Sequence, residues 1–132
     1  MPMWPTPYVS FPGTAREALE FYRDVFGGDL TLHTRADFGS ADEPLEAIAH
    51  GILSGPVQLF GADADGPAPS PHCEGIMFSL LGASDAETLT GWFARLAEGG
   101  RVVDDLRSRP WGASDGQVVD KYGLHWLIGF EH

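Results

Sequence analysis

The chain of 132 residues has the length of one domain, and its content of 43% hydrophobic and 20% charged residues is ordinary for a globular protein. Nineteen acidic residues against eight basic ones give a formal net charge of −11, which argues against binding to nucleic acid or to an anionic membrane surface. Cys73 is the only cysteine, and the sequence has neither a signal-peptide pattern nor an apolar run of about 20 residues, so we expect a cytoplasmic protein without disulfides.

In the first half of the chain the pattern predicts one helix and four strands. Thr14 and Glu17 form a capping-box sequence for a helix that ends at Gly27. The apolar face of this helix is expected to consist of Ala18, Phe21, Tyr22 and Val25. Strands are predicted at 8–11, 29–35, 45–53 and 57–60, with a mobile loop at 36–44.

The third of these strands carries a histidine in an unusual setting. His50 lies between Ala49 and Gly51, and Ile48 and Ile52 are expected to share its face of the strand. The small neighbours indicate that a helix approaches the opposite face closely.

The second half repeats the same order of elements. Strands are predicted at 76–81, 101–104, 116–119 and 124–128, and a loop at 107–114 contains Trp111. A helix capped by Ser84 or Asp85 is expected to bury Leu89, Trp92, Phe93 and Leu96.

The two halves also match in sequence. Residues 21–28 (FYRDVFGG) and 93–100 (FARLAEGG) share Phe, Arg and a double glycine in the same register. We therefore predict a single domain made of one module used twice, at about 7–62 and 75–131, with a proline-rich linker at about 63–74. Each module has the order β-α-β-β-β, which gives an α+β fold; a ferredoxin-like fold would need a second helix in the first 60 residues.

This duplicated order resembles the vicinal oxygen chelate superfamily, which includes glyoxalase I, bleomycin-resistance proteins and extradiol dioxygenases. Its most specific pieces are residues 20–28 (EFYRDVFGG) and 120–126 (DKYGLHW). Trp111-Gly112, Gly116 and the closing Gly-x-x-Trp resemble the PhnB-like branch of this superfamily. The resemblance implies mixed sheets curled into a cup, helices on the outer face, a pocket between the modules and a homodimer.

The resemblance also implies a divalent metal, held by His, Gln or Glu on the first and fourth strands of each module. The corresponding positions are Pro7, Gly75 and Leu127, with Gln58 as the candidate at the fourth. Pro, Gly and Leu offer no donor atom for a divalent ion, so we expect no cofactor and no metal at the usual positions. A displaced site built from His50, Glu74 and His125 stays open.

The candidate site residues combine aromatic and polar side chains. His50 is the candidate general base, since histidine gains or loses a proton near neutral pH. Trp111 follows Pro110 in a loop and could stack on a ligand. The residues expected to bind a ligand are Tyr8, Gln58, Phe60, Trp111 and His125.

Two functions remain open at this point. The first is binding of a small apolar or aromatic molecule in the cup between the modules, without metal. The second is a lyase or isomerase that acts α to a carbonyl, with His50 moving the proton and Gln58 or a non-standard metal site stabilising the enolate. An accessory domain with a vestigial pocket is a third reading.

Overall fold

Each half of the chain folds into a four-stranded mixed sheet with one helix. The computed structural model describes residues 5–132, and the chain divides into two compact units between Ser70 and Pro71. The elements of the first unit are β1 (Tyr8–Phe11), α1 (Ala15–Phe26), β2 (Asp29–Thr34), β3 (Ile48–Ser54) and β4 (Leu59–Asp63). Those of the second are β5 (Phe78–Leu81), α2 (Ala86–Ala97), β6 (Arg101–Arg109), β7 (Ala113–Val119) and β8 (His125–Glu131).

The two sheets have the same topology. The strand orders are β1-β4-β3-β2 and β5-β8-β7-β6. In each, the first and last strands of the module pair in parallel and the remaining neighbours pair antiparallel. This arrangement confirms the predicted pair of βαβββ modules.

Helix α1 packs on the first sheet through its apolar face. Tyr22 is fully buried, as predicted, and so is Leu19, whereas Phe21 of the predicted face is only half-buried. Gly51 and Gly61 make the close approach possible, because a Cβ on either residue would meet the side chain of Leu19. Gly51, the small neighbour of His50, therefore lies against helix α1, as predicted.

The start of α1 is held differently from the prediction. Thr14 occupies the N-cap position but makes no side-chain capping hydrogen bond. Instead the Asp63 carboxylate accepts from the backbone N–H of Ala15 and of Ile48, both at 2.9 Å. Asp63, which the composition placed in the linker, is thus the last residue of β4 and ties that strand to the helix.

The repeated double glycine has a steric cause. A Cβ at Gly28 would meet the backbone of Ser54 and Gly55, in the turn between β3 and β4. In the second module, a Cβ at Gly100 would meet the backbone of Val119 and Asp120, in the turn between β7 and β8. In both modules, the chain leaving the helix therefore lies directly against the turn that precedes the last strand.

The motif from Asp120 to Gly123, which carries part of the family resemblance, is a turn held by one buried carboxylate. One oxygen of Asp120 accepts from the backbone N–H of Tyr122 at 2.8 Å and of Leu124 at 3.2 Å. The other accepts from Trp126 Nε1 at 2.8 Å. Asp120 is only 3% exposed, so it is a structural residue of the core.

The predicted loop at 107–114 is wrong over most of its length. β6 continues to Arg109, β7 begins at Ala113, and a tight turn at 110–112 joins them. The polar residues at the end of β6 resemble a loop in sequence. They lie in a strand because β6 is the edge strand of its sheet, where charged side chains are expected. Two register shifts in β6 also break its alternation.

Candidate functional site

Each sheet has one face packed by its helix and one face that carries no helix of its own module. We call the second the helix-free face. In the first module Tyr8 pairs with Phe60, and Phe60 pairs with Ile52, so these side chains share the helix-free face. His50 lies two residues before Ile52 on β3 and extends the same face.

Three of the predicted site residues form a cluster on this face. The Tyr8 hydroxyl lies 3.0 Å from His50 Nδ1, and the two rings stack with centroids 5.5 Å apart. The Phe60 ring lies 5.4 Å from the His50 ring and 6.1 Å from the Tyr8 ring. Parallel pairing of β1 with β4 brings Tyr8 to residues more than forty positions away, which the sequence pattern could not give.

The cluster is accessible, since Tyr8 is 55% exposed and His50 and Phe60 are half-buried. Across the neighbouring strand, His33 pairs directly with His50, and its ring stacks on Phe38 at 5.2 Å. His33 therefore extends the aromatic face by one strand.

Ile48 does not share the face of His50, which corrects the prediction. It is 1% exposed and lines a recess beside α1 together with Arg16 and Glu17. The cause is a register shift: His33 pairs with His50, whereas Thr34 pairs with Ile48, so Ala49 is skipped.

The remaining predicted residues lie elsewhere. Gln58 precedes β4 by one residue, next to the cluster in sequence but outside the strand. His125 and Trp111 belong to the second unit. His125 Nε2 lies 3.0 Å from Oε1 of Gln117, which stands on β7 and was not singled out from the sequence. The alternation of β7, with Asp115 and Gln117 on one face, is the signal that would have found it.

The helix-free face of the second module is ionic where the first is aromatic. Arg109 donates to Asp115 through Nε at 2.8 Å and to Asp104 at 2.8 Å, and Arg107 lies 3.6 Å from Asp104. The hydrogen bond from Arg109 lowers the pKa of Asp104, and the bond to Asp104 raises the pKa of Arg109. These charges hold the β6–β7 hairpin together near its turn.

Trp111 lies in that turn and is 71% exposed. It stands at a recess of about 410 Å³ formed entirely within the second module. The recess is lined by Leu81, Gly82, Trp111, Ala113, Ser114, Asp115, Gly129, Phe130 and Glu131.

The donor set does not fit the metal that the resemblance implies. Tyr8 on β1 and Ser79 on β5 occupy equivalent positions in the two modules. Tyr8 pairs with Phe60 on β4, and Ser79 pairs with Leu127 on β8. Phe60, and not Gln58, is therefore the counterpart of Leu127, and neither side chain can coordinate a metal. Within residues 5–132 no three His, Cys, Asp or Glu side chains are grouped so that they could hold a metal ion.

Neither helix of the described part of the chain is long and apolar enough to cross a membrane.

The comparisons with known proteins agree with the fold and the repeat. The chain is 27% identical to protein YjdN of Escherichia coli K12 over 137 residues, which covers 93% of this chain and 92% of that protein. A crystal structure of PA1353 from Pseudomonas aeruginosa superposes with a TM-score of 0.84 at 29% identity, with 98% of each chain covered.

A structure of a PhnB protein from Bacillus cereus, described as a putative 3-demethylubiquinone-9 3-methyltransferase, superposes with a TM-score of 0.69. Its identity is 20%, over 96% of this chain and 98% of that one, so the likeness concerns the fold alone. A model of the glyoxalase/bleomycin resistance protein/dioxygenase superfamily matches residues 7–128. With almost its whole length matched and both βαβββ modules present, the chain belongs to the glyoxalase/bleomycin resistance protein/dioxygenase superfamily.

Proposed function

We propose that the protein binds a small aromatic or apolar molecule on the helix-free face of its first module, and that it does so without the metal usual in the superfamily. The observation that carries the proposal is the Tyr8–His50–Phe60 cluster, in which aromatic surface and hydrogen-bonding groups lie together on an accessible sheet face.

The apolar part of the cluster favours a flat ligand. Phe60 and Ile52 are half-buried neighbours, and Tyr8 presents more than half of its surface. Aromatic rings placed in this way gain both burial and ring–ring contact when an aromatic ligand covers them. Because such stacking is selective for flat molecules, we expect aromatic compounds to bind better than aliphatic ones of the same size.

The polar part supplies orientation. If Tyr8 donates its hydroxyl proton to His50 Nδ1, the imidazole carries its own proton on Nε2. That N–H makes no hydrogen bond within the described residues and is available to a carbonyl or ether oxygen of the ligand. A bound molecule would then combine an aromatic body with an acceptor at its edge.

The same hydrogen bond favours catalysis if its direction is reversed. With Nδ1–H donating to the Tyr8 oxygen, Nε2 has a lone pair and could remove a proton from a carbon α to a carbonyl. This second function, a lyase or isomerase reaction with His50 as the base, thus differs from simple binding by the tautomer of one ring.

A titration monitored by NMR tests the proposal. We expect 2-acetylnaphthalene and naphthalene to shift the amide signals of Tyr8, His50 and Phe60. Phe60→Ala should lower the affinity for both ligands by about tenfold, because the contact with the Phe60 ring is lost. We expect the ketone to bind about fivefold more tightly than naphthalene, because it accepts one additional hydrogen bond. His50→Ala should remove most of this difference in affinity.

Tyr8→Phe removes the hydroxyl that bonds to His50 and should also reduce the advantage of the ketone. Tyr122→Phe, which removes a tyrosine hydroxyl in the second module, is its matched control and should leave binding unchanged. Failure of every aromatic probe to shift the cluster would contradict the proposal. The ¹⁵N shifts of the His50 ring identify its tautomer. The second function requires Nδ1–H, so an Nε2–H tautomer in the ligand complex would contradict it.

A further inference from the structure

The recess of the second module has a composition unlike the cluster of the first. Its apolar wall includes Leu81, which is 54% exposed, and the exposed ring of Trp111. Its volume of about 410 Å³ lies in the range of small-molecule sites. An exposed tryptophan at the edge of a concave, largely apolar surface is the arrangement in which a ring face is free to contact a ligand.

The charge in the recess is unbalanced. Asp115 and Asp104 are each bonded to Arg109 at 2.8 Å, and Arg107 lies near Asp104, so these two carboxylates and two guanidiniums compensate one another. Glu131 pairs with Ala113 across the strands and lines the same recess. It makes no ion pair or hydrogen bond with any residue in the described part of the chain, which leaves one carboxylate without a counter-charge beside the tryptophan.

We infer that this recess is a second binding site, for a small organic cation such as a protonated amine on an apolar body. The cationic head would lie between the Trp111 ring face and the Glu131 carboxylate, and the apolar body would lie on Leu81, which packs over Gly129 on the same face of the sheet. Cations are attracted both to a tryptophan face and to a carboxylate. The net charge of −11 adds a long-range attraction for cations.

The site is independent of the proposed function, because it uses other residues, in the other module, with different chemistry. An anionic ligand is disfavoured by Glu131, and a neutral aromatic ligand would leave that carboxylate without a partner. Arg109 does not repel the cation strongly, because it is held between two carboxylates.

The test compares 2-phenylethylammonium with 2-phenylethanol, which has the same apolar body and no charge. Both are titrated into the full-length protein and followed by NMR and calorimetry. We expect the ammonium ion to bind at least about tenfold more tightly than the alcohol and to shift the signals of Trp111 Nε1–H and the Gly129 amide.

Two variants localise the effect. Glu131→Gln should remove most of the difference in affinity between the two probes. Trp111→Leu keeps an apolar side chain but removes the aromatic ring, and it should weaken the binding of the ammonium ion about fivefold. Glu87→Gln removes an exposed carboxylate of the same module, on α2 and outside the recess, and should change neither affinity.

Equal affinities for the two probes would overturn the inference, as would equal losses of ammonium affinity in Glu131→Gln and Glu87→Gln, since these would reflect net charge alone. Shifts confined to Tyr8, His50 and Phe60 would also overturn it, while leaving the proposed function standing. Conversely, failure of the aromatic ketone to bind at the first module, with unchanged binding of the ammonium ion, would contradict the proposed function and leave this inference standing.

Discussion

Asp120 illustrates how one side chain can decide a turn and part of a core. Its two oxygens serve two backbone N–H groups and the indole of Trp126, a residue that is 2% exposed. Removing the carboxylate would leave these donors buried and without their partner, which is the costly way to lose a hydrogen bond.

We expect Asp120→Ala to lower the free energy of unfolding by about 3 kcal/mol, in line with charged hydrogen bonds lost inside a core. Urea unfolding followed by tryptophan fluorescence measures the change. Asp105→Ala is the matched control, because Asp105 is exposed on an edge strand and should change stability by less than about 0.5 kcal/mol. Similar losses in the two variants would show that Asp120 is not the anchor described.

The candidate site was only partly predictable at this scale. Tyr8, His50 and Phe60 were selected because strand alternation places such side chains on one face. Their contact depends on the parallel pairing of β1 with β4, which links distant segments and leaves no local signal. The ion pairs of Arg109 could not be predicted, because the pattern predicts a loop over the end of the strand that carries this residue.

At the scale of elements, the double glycine connects each helix to the turn before the last strand. Gly100 has ordinary backbone angles, so its role rests on the space that a Cβ would need against Val119 and Asp120. Gly91, inside α2, has no atom within 4 Å of the place where a Cβ would stand. The same substitution at these two glycines should therefore have opposite effects.

We expect Gly100→Ala to destabilise the protein by about 2 kcal/mol, because the turn or the strand must shift to admit the methyl group. Gly91→Ala should stabilise it by about 0.5–1 kcal/mol, since alanine has the higher helix propensity and nothing obstructs it. Thermal unfolding of both variants measures the pair. A neutral Gly100→Ala would mean that the repeat glycine serves another purpose.

The type and order of the elements were predictable, and their limits were less so. Helices α1 and α2 follow from regular apolar spacing and glycine ends. β3 starts at Ile48 and not at residue 45, because residues 44–47 form a turn in which the N–H of Ala47 donates to the Pro44 carbonyl. Such a turn at the start of a strand is invisible to alternation.

At the scale of the whole molecule, the superfamily fold is present. That the metal-ligand positions implied by the resemblance, Pro7, Gly75 and Leu127, hold no metal stays a prediction. Homodimer formation stays a prediction, as does cytoplasmic location. Exposed apolar side chains such as Ile76, 64% exposed, and Met77, 42% exposed, are candidates for covering by a second copy.

Native mass spectrometry tests metal content and assembly together. We expect the mass of an unmetallated protein, and no stoichiometric uptake after addition of Zn²⁺, Mn²⁺ or Ni²⁺, because the donor side chains are missing. A chelator-treated sample is the control for adventitious ions. One ion retained per chain would refute the assignment of these positions and favour metal-assisted catalysis, and the charge-state series would report a monomer or a dimer.

The matching registers of the two sheets bear on how the protein evolved. Tyr8, Phe60 and Ile52 occupy in the first module the places of Ser79, Leu127 and Gln117 in the second. As expected after duplication of one module, both copies keep the glycine contacts of the scaffold, whereas the side chains of the helix-free faces differ. The first face also carries the ring of His50, and the second also carries the ion pairs of Arg109. Side chains that are not required for packing against a helix are free to mutate without loss of the fold. The two helix-free faces can therefore change independently while the scaffold that both modules share is kept.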